Sequence, residues 1–188
     1  MSTFIIAELS ANHNNDIDIA LRTIEAMAKS GADAVKIQTY TADSLALDVD
    51  NAIFGPKKEG HWKGIRPYDL YKKAATPYEW HPKLKKKAED LGLVFFSSPF
   101  DFKAVDFLEE LNCPIYKIAS FEINDIPLIK HVASKQKPII ISTGVAELED
   151  IDLAIETCRK EGNNNITLLK CTSQYPARIE DANLACIP

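Results

Sequence analysis

Leu168-Leu169-Lys170-Cys171-Thr172-Ser173-Gln174-Tyr175-Pro176 is an apolar run that ends abruptly in small hydroxyl, amide and phenol side chains. The same shape occurs at Phe4-Ile5-Ile6-Ala7-Glu8-Leu9-Ser10, Ala34-Val35-Lys36-Ile37-Gln38-Thr39 and Val94-Phe95-Phe96-Ser97-Ser98-Pro99-Phe100. It returns at Ile115-Tyr116-Lys117-Ile118-Ala119-Ser120 and Ile139-Ile140-Ile141-Ser142-Thr143-Gly144. These runs are too short for helices and do not alternate polar with apolar, so they read as strands buried on both faces. Each delivers polar side chains at its carboxyl end.

Working outward from these runs, strands are expected over 3–9, 34–38, 93–97, 115–118, 138–142 and 166–170. Between them the apolar spacing becomes helical. One helix follows a cap at Asp16, carries Ile19, Ala20, Ile24 and Met27 on one face and stops at Gly31. Others are expected over 68–73, 78–91, 101–111, 126–134 and 148–160, with Thr76 as cap and Pro77 as first residue of the second of these. Residues 39–67 form a long irregular segment, and a loop of that length in a compact domain is usually functional or disordered. The lysines at 83, 85, 86 and 87 read as a solvated helix face. The tail from 176 shows no periodicity.

Strand–helix alternation of this kind builds a parallel sheet covered by helices. An open doubly wound sheet would place a glycine-rich phosphate loop after the first strand. Here that loop is Ser10-Ala11-Asn12-His13-Asn14, with no glycine. Polar residues at every strand end fit a (β/α)8 TIM barrel better, because its active site draws on all the strand ends. A complete barrel takes about 250 residues. The 188 residues hold six units, so the expectation is one partial barrel domain over 1–188, cut after about six βα units, with unpaired edges at its first and last strands.

Composition narrows the function classes. The chain is 46% hydrophobic and 26% charged, enough for one sizeable core. A net charge of -5 gives no global attraction to nucleic acid or an anionic membrane, so an anionic ligand must meet a local basic pocket. No run of about 18 apolar residues exists and no leader is visible, so a cytoplasmic protein is expected. Cys113, Cys158, Cys171 and Cys186 are widely spaced, which speaks against a disulfide framework or a zinc site.

Lys36 and Lys117 stand inside apolar strands. A lysine there is costly unless an anion meets it. Ser98, Ser120, Ser142 and Ser173 supply hydroxyl donors on four strand ends, so the set reads as a phosphate or carboxylate site. The plainer reading pairs Lys36 with Glu8 structurally. Glu8 is alternatively a general acid or base. His13 is a ligand or merely a turn residue. Lys117 or Lys36 as the Schiff-base lysine of an aldolase is a rival reading, and an inactive anion-binding fragment is another. Ser142-Thr143-Gly144 is not a nucleophile elbow, since GxSxG is absent.

Ile6-Ala7-Glu8-Leu9-Ser10-Ala11-Asn12-His13-Asn14 resembles the opening of the sialic acid synthase family. The motifs at 35–39, 96–100, 116–120, 141–144 and 171–176 follow in the family's order. Within the family, the stretches 7–13, 118–123 and 168–173 resemble the pseudaminic acid synthases. The N-acetylneuraminate branch tends to have glycine and valine near Leu9 to Ala11, and histidine where Lys170 stands.

That resemblance implies condensation of phosphoenolpyruvate with an N-acetylated amino sugar, 2,4-diacetamido-2,4,6-trideoxy-altrose, giving pseudaminic acid and phosphate. N-acetylneuraminate or legionaminate synthesis is the alternative within the family. It implies that Lys36, Lys117, Ser98, Ser120, Ser142 and Ser173 bind phosphate and carboxylate, that Gln38 and Tyr175 face the sugar, and that Glu8 assists proton transfer. It implies a homodimer, a small antifreeze-like second domain, and a divalent metal, manganese or magnesium, held by two histidines of later strands. Those ligands are expected beyond Pro188, and no metal is expected in these 188 residues.

Overall fold

The structure is a computed structural model that describes residues 3–174 and 176–187. The chain divides into two compact units, Met1–Ala104 and Val105–Pro188. In the first, β1 (Ile6–Glu8), β2 (Ala34–Thr39) and β3 (Val94–Pro99) run parallel with β2 in the middle. The register sets Glu8 opposite Lys36 and Gln38 opposite Ser98. Helix α1 (Ile17–Lys29) begins at Asp16, whose carboxylate accepts from the N–H groups of Asp18 and Ile19. It buries Ala20 and Ile24, and Gly31 follows it at φ 86, a left-handed turn that favours glycine.

Short helix α2 (Ala42–Leu45) and helix α3 (Pro67–Ala74) flank the segment expected to be irregular. That segment is held together rather than loose. The Asn51 side chain accepts from the N–H groups of Ile53 and Phe54, Lys57 bridges to Lys63, and Arg66 reaches Asp48 and Asp69 at 2.8–3.0 Å.

The helix expected over 78–91 starts later. Tyr78–Trp80 is a 3-10 turn, and α4 covers His81–Asp90 with Pro82 in its first turn. Thr76 caps nothing there, because its hydroxyl is engaged by His13. On the lysine face of α4, Lys83 and Lys86 are exposed as expected and Lys85 and Lys87 half-buried, and ion pairs not expected from the sequence join Lys85 to Glu89, Lys86 to Asp90 and Lys87 to Glu25. Such surface pairs contribute little to stability.

In the second unit β4 (Tyr116–Ile118), β5 (Ile139–Ser142) and β6 (Ile166–Leu169) are parallel, with β5 in the middle. α5 (Phe102–Glu110) carries the chain from one unit into the next. α6 (Ile126–Ser134) and α7 (Leu148–Lys160) occupy the spans expected for them. Asp125 caps α6 by accepting from Leu128 N–H, and α6 buries Leu128, Ile129, Val132 and Ala133. The phenol of Tyr116, fully buried, donates to Glu109 at 2.8 Å, and Lys137 pairs with the same carboxylate. The tail forms two 3-10 turns, Ile179–Ala182 and Leu184–Cys186. Apolar side chains are exposed on the edge strand β6, at Leu168, and beside β1, at Phe4 and Ile5. No helix among the described residues is long and apolar enough to cross a membrane.

Burial of His81 gives stability a pH dependence. Its imidazole is fully buried, with Nδ1 donating to the Pro77 carbonyl at 3.1 Å and Nε2 at 2.8 Å from Thr39 Oγ1. Burial, which penalises the charged ring, lowers its pKa from 6.5 to about 4. Between those values the unfolded chain binds the extra proton and the folded chain does not. The contribution is therefore whole above pH 6.5 and is lost as pH falls toward 4, amounting to about 2 kcal/mol by pH 5. His13, also lowered by burial, acts in the same direction. Urea unfolding at pH 7 and pH 5 is expected to show this loss, and His81→Asn to flatten it. A loss unchanged in the variant would assign it elsewhere.

Candidate active site

The polar strand ends form two groups, one in each unit. In the first, Lys36 leaves β2 and makes an ion pair with Glu8 from the end of β1. Its Nζ also lies 3.4 Å from Ser98 Oγ on β3. Glu8 Oε1 accepts the Ser10 N–H at 3.1 Å, and Ser10 has a left-handed φ of 51. The plainer reading of Lys36 is thus realised: Glu8 neutralises it. Gln38 sits two residues further along β2, half-buried and opposite Ser98 in register.

His13 is not available as a ligand. Asn15 N–H donates to Nδ1 at 3.1 Å, so Nε2 carries the proton and faces Thr76 Oγ1 at 3.2 Å. The His13 ring sets its edge against Trp80. Both nitrogens of His81 are likewise taken. Among the described residues no three His, Cys, Asp or Glu side chains gather to hold a metal ion. With these nitrogens engaged, the histidines of this site do not fit a divalent cation.

The second group centres on Lys117, only 6% exposed. Its ammonium donates to the Ile118 carbonyl at 2.7 Å and to Ser142 Oγ at 2.6 Å. Cys171 Sγ lies 3.3 Å from the same Oγ. The ammonium thus occupies one acceptor site of the Ser142 hydroxyl and fixes its place at the strand end. Ser120 Oγ accepts the Gly144 N–H at 3.2 Å. A methyl group at Gly144 would run into Ser173 Oγ and come within 3.0 Å of Cys171 Cβ and 3.1 Å of Ser120 Oγ. Gly144 is therefore the point on which Ser120, Cys171 and Ser173 converge. Tyr175 lies outside the described residues.

Two residues of this group go beyond the sequence expectation. Gly144 carried no assigned role; its signal was its place directly after a strand-end hydroxyl pair. Glu122, in the 3-10 turn Ser120–Glu122, keeps Oε2 buried with no hydrogen-bond partner. Burial pushes its pKa up, opposed by the field of Lys117. Burial thus favours the protonated form of this carboxyl.

The profile of the NeuB family matches residues 23–188. The chain belongs to the NeuB family. Among its relatives, the pseudaminic acid synthase of Helicobacter pylori is 51% identical over 180 residues, 96% of this chain and 53% of that protein. The N,N'-diacetyllegionaminic acid synthase of Legionella pneumophila is 40% identical over 189 residues, 98% of this chain and 52% of that one. The crystal structure of an N-acetylneuraminic acid synthetase from Leptospira borgpetersenii, in complex with citrate, is 33% identical. It covers all of this chain and 60% of the other with a TM-score of 0.85. The chain thus spans about half the length of the curated relatives it matches. Its fold class is α/β, six parallel βα units of the (β/α)8 barrel type.

Proposed function

We propose that the full-length protein joins phosphoenolpyruvate to 2,4-diacetamido-2,4,6-trideoxy-altrose, giving pseudaminic acid and inorganic phosphate, as a cytoplasmic homodimer. The observation that carries this reading is the Lys117–Ser142 pair: a buried ammonium held at a strand end by a serine hydroxyl, where an oxyanion would meet a fixed positive charge. The 51% identity to a pseudaminic acid synthase supports the branch. Phosphoenolpyruvate bears a phosphate and a carboxylate. Lys117 with Ser142, Ser120 and Ser173 is suited to such an oxyanion, and so is Lys36 with Ser98.

The carbon nucleophile is the methylene carbon of phosphoenolpyruvate, so no protein nucleophile is needed. It forms the new bond to the sugar's aldehyde carbon, and the aldehyde oxygen takes a proton. Water enters at the enol carbon and phosphate leaves, so the sum is phosphoenolpyruvate, sugar and water to keto acid and phosphate. Glu8 is assigned the proton transfer at the aldehyde, with Gln38 and Tyr175 facing the sugar. Glu122 is a second proton-holding group. The family's divalent metal is assigned to residues outside these 188.

Incubating the full-length enzyme with phosphoenolpyruvate and either this sugar or N-acetylmannosamine tests the branch. Phosphate release with the diacetamido sugar is expected; turnover of N-acetylmannosamine alone would remove the pseudaminic assignment. Gly144→Ala is a separate prediction. Its methyl displaces the Ser173 hydroxyl and crowds Ser120. The KM for phosphoenolpyruvate is expected to rise about tenfold or more, as when a hydrogen bond to a charged group is lost. An unchanged KM would show that Ser173 does not touch the anion.

A further inference from the structure

We infer that a cavity beside the end of β2 receives one acetamido group of the amino sugar, an inference that rests on the amino-sugar reading above. The cavity measures about 260 Å³, and its lining includes Tyr40, Asp43, Tyr68, Lys72, Thr76 and Tyr78. It lies wholly within the first unit. In extended backbone alternate residues share a face, so Lys36 and Gln38 lie on one side of β2, and Tyr40 follows directly after the strand's last residue, Thr39. Tyr40 stands about 7 Å along the chain from Gln38, within reach of an open-chain sugar held near Gln38. The Tyr40 ring is fixed edge-on by Tyr71 and Phe100, with centroids at 6.2 and 5.5 Å.

The lining selects the ligand chemistry. Phenol rings supply apolar wall for a methyl group. Tyr68 donates its hydroxyl proton to Asp43 Oδ1 at 3.2 Å, which leaves carboxylate and phenol oxygens as acceptors. Lys72 makes no hydrogen bond or ion pair among the described residues, and its field falls on Asp69. One ammonium against one carboxylate leaves the lining near neutral, which disfavours a phosphate and suits a neutral dipole. An acetamido group matches all three features: a methyl for the rings, a carbonyl for Lys72, and an N–H for Asp43. A sugar with two such groups would be told from one with a single acetamido group here. The discrimination arises because an absent amide leaves these polar groups unmatched.

The test uses the full-length enzyme with phosphoenolpyruvate and the diacetamido sugar. Lys72 is exposed and unpartnered, so Lys72→Met is expected to keep the wild-type unfolding midpoint. Its KM for the sugar is expected to rise about tenfold while the KM for phosphoenolpyruvate holds. Tyr68→Phe frees Asp43 and is expected to move the same constant. The sugar lacking its 4-acetyl group should be used poorly by the wild type, and with less discrimination by Lys72→Met. An unchanged sugar KM in both variants, or a parallel rise for phosphoenolpyruvate, overturns the inference while the functional reading stands. A wild-type enzyme that ignores the diacetamido sugar overturns both.

Discussion

Lys117→Met in the full-length enzyme is expected to lower kcat/KM for phosphoenolpyruvate by about 10²–10³-fold, the loss seen when one preorganised donor to a developing anion is removed. The wild-type ammonium is 6% exposed and already held by the Ile118 carbonyl and the Ser142 hydroxyl. It is therefore aimed before the ligand arrives, and little reorganisation is needed on binding. Lys117→Arg is expected to recover little, because a planar guanidinium does not fit where a compact point charge is enclosed. Lys117→Met is also expected to lose some stability, since the Ile118 carbonyl and the Ser142 hydroxyl lose their donor. Steady-state kinetics beside thermal unfolding separates the two effects. A fall in stability with unchanged kcat/KM would make Lys117 a structural residue.

Glu8→Gln separates the two roles open to this carboxylate. As an ion-pair partner, Glu8 neutralises Lys36 and is anchored by Ser10 N–H. As a general acid or base it would act on the sugar aldehyde. If the second role holds, kcat is expected to fall by about 10²–10⁴-fold, the usual contribution of a positioned proton-transfer group. The KM for phosphoenolpyruvate is then expected to stay level or fall, because the Lys36 ammonium is released from a competing carboxylate. A rise in that KM with kcat preserved would contradict the assignment and leave Glu8 as the keeper of Lys36.

The strand ends were legible because their physics is local. A short apolar run that stops in serine, threonine and lysine can be read residue by residue, and α6 and α7 fill the spans read for them. The start of α4 was not. Thr76-Pro77 has the form of a cap followed by a first-turn proline, yet His13, distant in sequence, takes the Thr76 hydroxyl and the helix waits for His81. Partner choice over that separation leaves no trace in local spacing. Lys36 shows the same limit: the sequence offered an anion site or a pair with Glu8, and only the β1–β2 register put Glu8 opposite it. Glu122 was missed because a single carboxylate after a strand becomes unusual only once its oxygen is seen buried and unpartnered.

The central claim is that these lysines host oxyanions and do not form covalent adducts. Mass spectrometry of the full-length enzyme after borohydride treatment in the presence of pyruvate tests it most directly. The protein is expected to stay unmodified and, with phosphoenolpyruvate and the sugar, to release one phosphate for each keto acid formed. A reduced adduct on Lys117 or Lys36 would contradict it and make the protein a Schiff-base aldolase.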